Sequence, residues 1–216
     1  MIMRSIIVDF IKKAKLASFA MNSRTLMMYY FNWKYRRDDP YGVSSASRRD
    51  TRYQDMIGLL VNRHFLKGLD VGCGEGVFSE MLLNVCDTVR GIDISDSAIQ
   101  RAQRKYCEQI NLQFNVGDVL AMNIDPVYDL IVCAEILYYL NYRQIRVVIA
   151  KITSALLPNG YLIVCNIKEI NSDSGFFKES MPGSEINKLF EKEGQILQIS
   201  EIDRGNDLIT LFRKFK

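Results

Sequence analysis

The sequence predicts an α/β fold, a mostly parallel sheet with helices on both faces. Three observations predict it. Past residue 64 short β-like runs alternate with helical patterns, the signature of parallel strands joined by helical crossovers. A glycine-rich turn, Gly72-Cys73-Gly74-Glu75-Gly76, follows a buried-strand pattern and opens a helix. Near the C-terminus two strand-like runs are separated by a tight-turn composition, Arg204-Gly205-Asn206-Asp207, which predicts an antiparallel hairpin at a sheet edge.

Taken in order, the strands are expected at Leu66–Gly72, Thr88–Asp93, Leu112–Val116, Tyr128–Ala134 and Tyr161–Ile167, then at about Gln195–Ile202 and Asp207–Phe215. Helical patterns cover Arg48–Val61, Val77–Val85, Ser97–Cys107, Tyr142–Leu157 and Glu185–Glu193. In the fourth of these, Ile145, Val148, Ile149, Ile152 and Leu156 form one apolar stripe, and Pro158-Asn159-Gly160 ends it. The stretch Lys168–Pro182, with Gly175-Phe176-Phe177, is long for a connection, and loops of that length are usually functional. Phe176 or Phe177 is expected to wall an acceptor site, with a packed apolar cluster as the plainer reading.

Composition narrows the function classes. The chain has 216 residues, 48% hydrophobic and 25% charged, which is enough apolar surface to offset ordering entropy and excludes a disordered chain. No apolar run approaches the ~18 residues of a membrane span. Five cysteines without metal-like spacing point to reduced thiols and a cytoplasmic setting. A single histidine, His64, reads as a strand-boundary residue; it argues against a zinc site and against a histidine-dependent hydrolase, so no metal is expected.

Charge is uneven. Residues 1–37 hold eight Lys or Arg and one acid, Asp9, a net of +7; the rest of the chain is net −4, giving the overall +3. Residues 1–47 are therefore expected to form a basic helical arm or lid and 48–216 the catalytic domain. The apolar positions Met3, Ile6, Ile7, Phe10, Ile11, Ala14, Ala17 and Met21 fall at helical spacing, while Asp9, Lys12, Lys13 and Lys15 break any signal-peptide core. The arm packs on the domain or lids its ligand; a peripheral membrane contact through a basic surface-lying helix is the sharper alternative. A nucleic-acid enzyme more often carries its basic patch on the domain itself, so no nucleic-acid partner is expected.

The chemistry begins at the glycine turn. Twenty-one residues after Gly72, closing the next strand, stands Asp93, where a carboxylate can accept two hydrogen bonds from a ribose diol. Strand, glycine turn and spaced acid together indicate a nucleoside ligand; the plain reading is packing glycines and a helix-capping Asp93. The spacing is GxGxG, not the GxGxxG of a pyrophosphate site, and Asp70 precedes the first glycine by two residues. A carboxylate there repels a pyrophosphate and suits a cationic or amino-bearing ligand. The Tyr-x-x-x-Lys of short-chain oxidoreductases does not follow.

This pattern resembles the first motif of class I S-adenosylmethionine (SAM)-dependent methyltransferases. That resemblance implies a Rossmann-like seven-stranded sheet with an antiparallel strand inserted near its C-terminus, and SAM as cofactor with S-adenosylhomocysteine as product. It places Asp70 near the methionine amino group, with Gly72, Cys73 and Gly74 as the cradle. Cys73 would contribute its backbone N–H, not its thiol. Asp93 and Ile94 fall in the cofactor set. Asn115-Val116-Gly117-Asp118-Val119 is similar to the third motif, in which Asp118 would accept from the adenine amino group and the Val119 N–H would meet the ring. Tyr128–Glu135 is similar to the fourth strand, whose end at Ala134 borders the reacting methyl. Adenine-amino methyltransferases carry Asn/Asp-Pro-Pro-Tyr/Phe there, and cytosine-C5 enzymes a Pro-Cys; this chain has Cys133-Ala134-Glu135-Ile136 with no proline before Cys133.

A closer resemblance is to the NodS (nodulation protein S) group, carried best by Glu135-Ile136-Leu137-Tyr138-Tyr139-Leu140 and more loosely by Asp38-Asp39-Pro40-Tyr41-Gly42 and Arg52-Tyr53. It implies a small-molecule acceptor, an amino sugar or oligosaccharide whose nitrogen is methylated. Methyl transfer from a sulfonium needs an acceptor lone pair held in line and water excluded, so positioning can supply most of the acceleration. Glu135 would orient an amine and take its proton, with a turn cap or a cofactor contact as the alternatives. Tyr138 and Tyr139 would bound the acceptor; as packing residues, one of the two is expected to be core. Arg52 would pair with the methionine carboxylate and Tyr53 cover the cofactor, against a solvated arginine and a core tyrosine. An O-methyltransferase of a small metabolite or glycan, or a SAM-binding module without turnover, are the competing functions.

Overall fold

A computed structural model of the chain describes residues 24–37, 39–42, 46–169, 181–192 and 196–215. The expected helix before residue 22 and the Gly175-Phe176-Phe177 stretch lie outside the described residues, as does Asp38.

The elements are, in order, α1 (Arg24–Lys34), α2 (Ala46–Gly58), β1 (Phe65–Val71), α3 (Val77–Leu82), β2 (Cys86–Asp93), α4 (Asp96–Lys105), β3 (Leu112–Val116), β4 (Tyr128–Ala134), a 3-10 turn at Leu137–Tyr139, α5 (Tyr142–Ala155), β5 (Leu156–Ile167), α6 (Gly183–Lys192), β6 (Ile196–Asp203) and β7 (Asp207–Lys214). They build a seven-stranded sheet in the order β3-β2-β1-β4-β5-β7-β6. The first five strands run parallel, and β7 pairs antiparallel with both β5 and β6. The sheet is the Rossmann-like one expected.

Alternation along each strand splits the core in two. In β4, Leu130 and Val132 face one side, with Met56 and Leu60 of the α2 segment, Phe78 and Leu82 of α3, and Ile99 and Ala102 of α4. Ile131 and Cys133 face the other side, with the stripe Ile145, Val148, Ile149 and Ile152 of α5 and with Ile186 and Phe190 of α6. Those four α5 side chains are fully buried, each stabilising the fold by about 1.5–3 kcal/mol relative to exposure. A capping box starts α5: Asn141 Oδ1 accepts from the Gln144 N–H, and Gln144 Oε1 from the Asn141 N–H.

The strand expected at Tyr161 begins earlier, at Leu156, which pairs with Tyr128 directly after α5. The pairing then slips before Tyr161 meets Leu130, and Asn159 within the slip has φ +62°. Pro158-Asn159-Gly160 therefore forms a bulge inside the strand and not the break between helix and strand. The β6–β7 turn closes as expected, with the Arg204 N–H donating to Asp207 O at 2.9 Å and Gly205 at φ +82°.

Candidate functional site

From β1 the chain runs outward through β2 and β3, then returns to the other side of β1 through β4 and β5. The strand order reverses between β1 and β4, and the C-terminal strand ends around such a point enclose a crevice. Here the crevice is lined by the glycine turn, the ends of β2 and β4, the loop after β3 and, as its roof, α1.

Gly72 and Gly74 carry φ of +79° and +55°. A Cβ on Gly72 would lie 2.1 Å from Ile136 Cγ2, and one on Gly74 2.6 Å from the Tyr35 hydroxyl. Only glycine meets both the backbone angle and the close approach. The N–H groups of Gly72 and Cys73 both donate to Ile92 O, at 2.8 and 3.0 Å. This corrects the sequence reading of Cys73: its N–H is committed to β2 and not offered to a ligand, because the turn extends the β1–β2 ladder. Its thiol is buried, and burial together with the Asp93 carboxylate holds it well above the usual thiol range, so it is neutral.

Asp93 closes β2 at 9% exposure. Its Oδ2 accepts from the Gly74 N–H at 3.0 Å and its Oδ1 from the Ser95 N–H at 2.8 Å. Two protein partners leave further lone pairs for a diol. Burial pushes its carboxyl up to about 6, with the two N–H groups acting the other way. Asp70, at 3% exposure, accepts from Ser79 Oγ at 2.6 Å and is likewise raised by burial to about 6. Ile94 and Val119 line the same crevice. Asp118 Oδ1 accepts from the Leu120 N–H at 2.8 Å, and its Oδ2 is paired with Arg24 of α1 at 2.6 Å.

At the end of β4 the backbone turns sharply. Glu135 follows Ala134 with φ +60°, a conformation costing a non-glycine residue on the order of 1–3 kcal/mol. Its N–H donates to Cys165 O at 2.8 Å, tying the turn to β5. Tyr138 donates to Glu135 Oε2 at 3.1 Å, and Arg52 Nη1 lies 3.3 Å from the same oxygen. Burial raises the Glu135 carboxyl above its usual range, with Arg52 opposing the shift. The hydroxyls of Tyr138, Tyr139 and Tyr41 are linked by hydrogen bonds. Tyr138 is buried, and Tyr139 meets Phe31 of α1 edge-on at 5.1 Å.

Arg52 stands differently from its sequence assignment. Its guanidinium lies between Glu135 and Asp207, the latter at 3.6 Å, so it is directed to the β4 and β7 ends. Tyr53 packs on Phe78 at 4.9 Å and lines the crevice. The structure thus brings Asp70, Gly72, Gly74, Asp93, Ile94, Asp118, Val119, Ala134, Glu135, Tyr138, Tyr139, Arg52 and Tyr53 around one cleft.

Sequence reasoning missed four participants: Ser79 under Asp70, Asp207 beside Arg52, Arg24 on α1, and Tyr35 directly after it. For α1 a signal existed: Tyr29, Tyr30, Phe31, Trp33 and Tyr35 crowd one short stretch. Among the described residues no group of His, Cys, Asp and Glu could hold a metal ion, and no helix is long and apolar enough to cross a membrane.

The family model of nodulation protein S (NodS) matches residues 30–202. Nodulation protein S of Rhizobium tropici is 30% identical over 142 residues, 65% of this chain and 60% of that protein. The chain thus spans about 60% of the length of the nodulation S relatives it matches. A ubiquinone biosynthesis O-methyltransferase of Coxiella burnetii is 34% identical over 108 residues, covering 47% of this chain and 45% of that one. Among solved structures, N-methyltransferase NodS of Bradyrhizobium japonicum in complex with S-adenosylhomocysteine superposes with a TM-score of 0.77 at 22% identity, covering 88% of this chain and 98% of that one, which carries the fold. The sheet, the glycine turn and a family match running from α1 into β6 lead to one conclusion: the chain belongs to the nodulation protein S (NodS) family.

Proposed function

We propose that the protein is a SAM-dependent methyltransferase acting on the amino group of a small molecule, an amino sugar or an oligosaccharide bearing one. The observation that carries the cofactor is Asp93. A buried carboxylate, pinned by the glycine turn and the next helix, keeps free acceptor positions at the point where β1 and β4 diverge. Asp118 would take the adenine amino group and Asp70 would face the cationic amino-acid end. Ala134, with Ile94 and Val119, would line the cleft beside the transferred methyl.

The acceptor side rests on Glu135. An ammonium has no lone pair until it loses a proton, and a carboxylate raised above its usual range by burial is a competent acceptor of that proton. SAM bound in the cleft would supply the methyl group from its sulfonium, the neutral amine would take it, and the thioether S-adenosylhomocysteine would be the leaving group, while Glu135 keeps the proton that the amine gave up. Tyr138 holds Glu135, and Tyr139 with Phe31 walls the approach. Glu135→Gln is expected to lower kcat by about 100-fold or more while leaving S-adenosylhomocysteine affinity within about twofold. Because protonation disables the base, the acid limb of kcat/KM should fall above the ordinary glutamate range and vanish in the variant. Equal losses of turnover and affinity would make Glu135 a cofactor ligand.

The reading is tested by S-adenosylhomocysteine release from SAM with two acceptors. One is a chito-oligosaccharide carrying a free amine; the other is its fully N-acetylated form, which offers only hydroxyls. Turnover of the first alone supports N-methylation. Turnover of both supports O-methylation, a reading favoured by the partial likeness to ubiquinone O-methyltransferases. Turnover of neither counts against the proposed acceptor class.

For the domain plan we retain 1–47 as arm or lid and 48–216 as the methyltransferase domain, in the cytoplasm. Five free cysteines support that setting. Residues 24–35 support the lid, since they roof the crevice. The proposal for the preceding basic stretch is packing on its own domain. Co-sedimentation of the full chain with anionic vesicles, lost at high salt, would replace it with membrane docking.

A further inference from the structure

A cofactor with a free amino-acid end brings a carboxylate, which only accepts hydrogen bonds. The donors in the crevice are largely committed elsewhere. In the glycine turn, Gly72 and Cys73 donate to Ile92 O, Gly74 to Asp93, and Gly76 to Cys73 O. Arg52 is held between Glu135 and Asp207, and Arg24 is held on Asp118. The neighbouring carboxylates, Asp70 and Asp93, are acceptors themselves. The roof adds a donor that none of these commitments takes up.

Tyr35 provides one. It follows the last turn of α1, with its N–H donating to Phe31 O at 2.9 Å, so its ring is aimed by the helix. It is 9% exposed and lines the crevice. Its hydroxyl lies 2.6 Å from where a Cβ on Gly74 would stand, directly over the cradle. The ring packs on Tyr41 at 5.8 Å, but the hydroxyl makes no hydrogen bond to any described residue. Burial, and then the facing Asp93 carboxylate, hold its pKa well above the usual tyrosine value, so it keeps its proton and can donate. The hydroxyl opens onto the crevice, where a ligand can take its hydrogen bond.

We propose that the Tyr35 hydroxyl donates a hydrogen bond to the carboxylate of the bound cofactor's amino-acid end, which makes α1 a part of the cofactor site and not only its cover. The inference rests on the SAM reading of the cleft. It also gives the carboxylate role, assigned by sequence to Arg52, to a residue on a different element. The carboxylate is the partner of choice because the ribose hydroxyls and both amino groups of the cofactor are donors already matched to Asp93, Asp70 and Asp118, and a charged acceptor makes the stronger bond.

The test compares two ligands on the full chain by calorimetry. S-adenosylhomocysteine carries the amino-acid end; 5′-methylthioadenosine has the same adenine, ribose and thioether without it. Tyr35→Phe keeps the ring and its packing on Tyr41 and removes only the hydroxyl. It is expected to weaken S-adenosylhomocysteine about tenfold and to change 5′-methylthioadenosine less than twofold. Arg52→Gln is measured in parallel, because Arg52 lines the same cleft and was the carboxylate partner expected from sequence. Equal losses of both ligands in Tyr35→Phe would assign the hydroxyl to the ribose or to structure and overturn the proposal. No loss of either, or a selective loss of S-adenosylhomocysteine in Arg52→Gln alone, would overturn it too. Absence of binding to the unmodified protein would instead strike the SAM reading itself.

Discussion

Replacing Asp93 with alanine is expected to weaken S-adenosylhomocysteine binding by about 1–3 kcal/mol, roughly 5- to 150-fold, with the fold intact. The loss is that of charge-assisted hydrogen bonds to a buried acceptor. The variant keeps the strand, since the Asp93 side chain holds only the N–H groups of Gly74 and Ser95, at a turn open to the cleft. The same residue gives the site a pH dependence. Its pKa of about 6 in the empty protein lies above that of an unfolded aspartate. A group raised in this way contributes stability below its unfolded value and loses it as pH rises through about 6. At pH 8 the empty protein therefore holds a costly buried anion, and ligand hydroxyls offset that cost. The rise in melting temperature on adding S-adenosylhomocysteine should be larger at pH 8 than at pH 5, and the difference should shrink in Asp93→Asn. Unchanged calorimetric affinity in Asp93→Ala would remove Asp93 from the site.

Gly74→Val should reduce binding further, by at least about 30-fold. The residue's φ of +55° disfavours a β-branched side chain, and the new Cβ would meet the Tyr35 hydroxyl at 2.6 Å. What it meets is the far end of one side chain on the roof, so Tyr35 can swing aside and the sheet persists. The added methyls then stand in the cradle. Circular dichroism and a cooperative melt would report the retained fold, and calorimetry the lost binding. Normal affinity in a folded Gly74→Val protein would mean that the ligand does not approach that backbone.

What could be read from sequence was local. A βα unit fixes how far a glycine turn lies from the acid that closes the next strand, so Gly72, Gly74 and Asp93 were legible by spacing alone. Central strands buried on both faces, such as Tyr128–Ala134, show as continuous apolar runs and were placed to the residue. The Pro158-Asn159-Gly160 segment was misplaced because the same composition serves a helix stop and a strand bulge; pairing of Leu156 with Tyr128 decides between them. The contacts that complete the site are long-range and leave no spacing signal. Arg52 meets Asp207 across most of the chain, and Arg24 meets Asp118. Both depend on which helix docks over the strand ends, a question settled by packing and not by periodicity. Cys73 shows the converse: its position was legible, but not that its N–H would continue the ladder to Ile92.

The most direct measurement is calorimetric titration of S-adenosylhomocysteine into the pure full-length chain, with the Asp93→Ala protein alongside. One saturable site per chain in the first and a markedly weaker one in the second is the result this account predicts. No heat from the unsubstituted protein, or the same affinity in both, would contradict it.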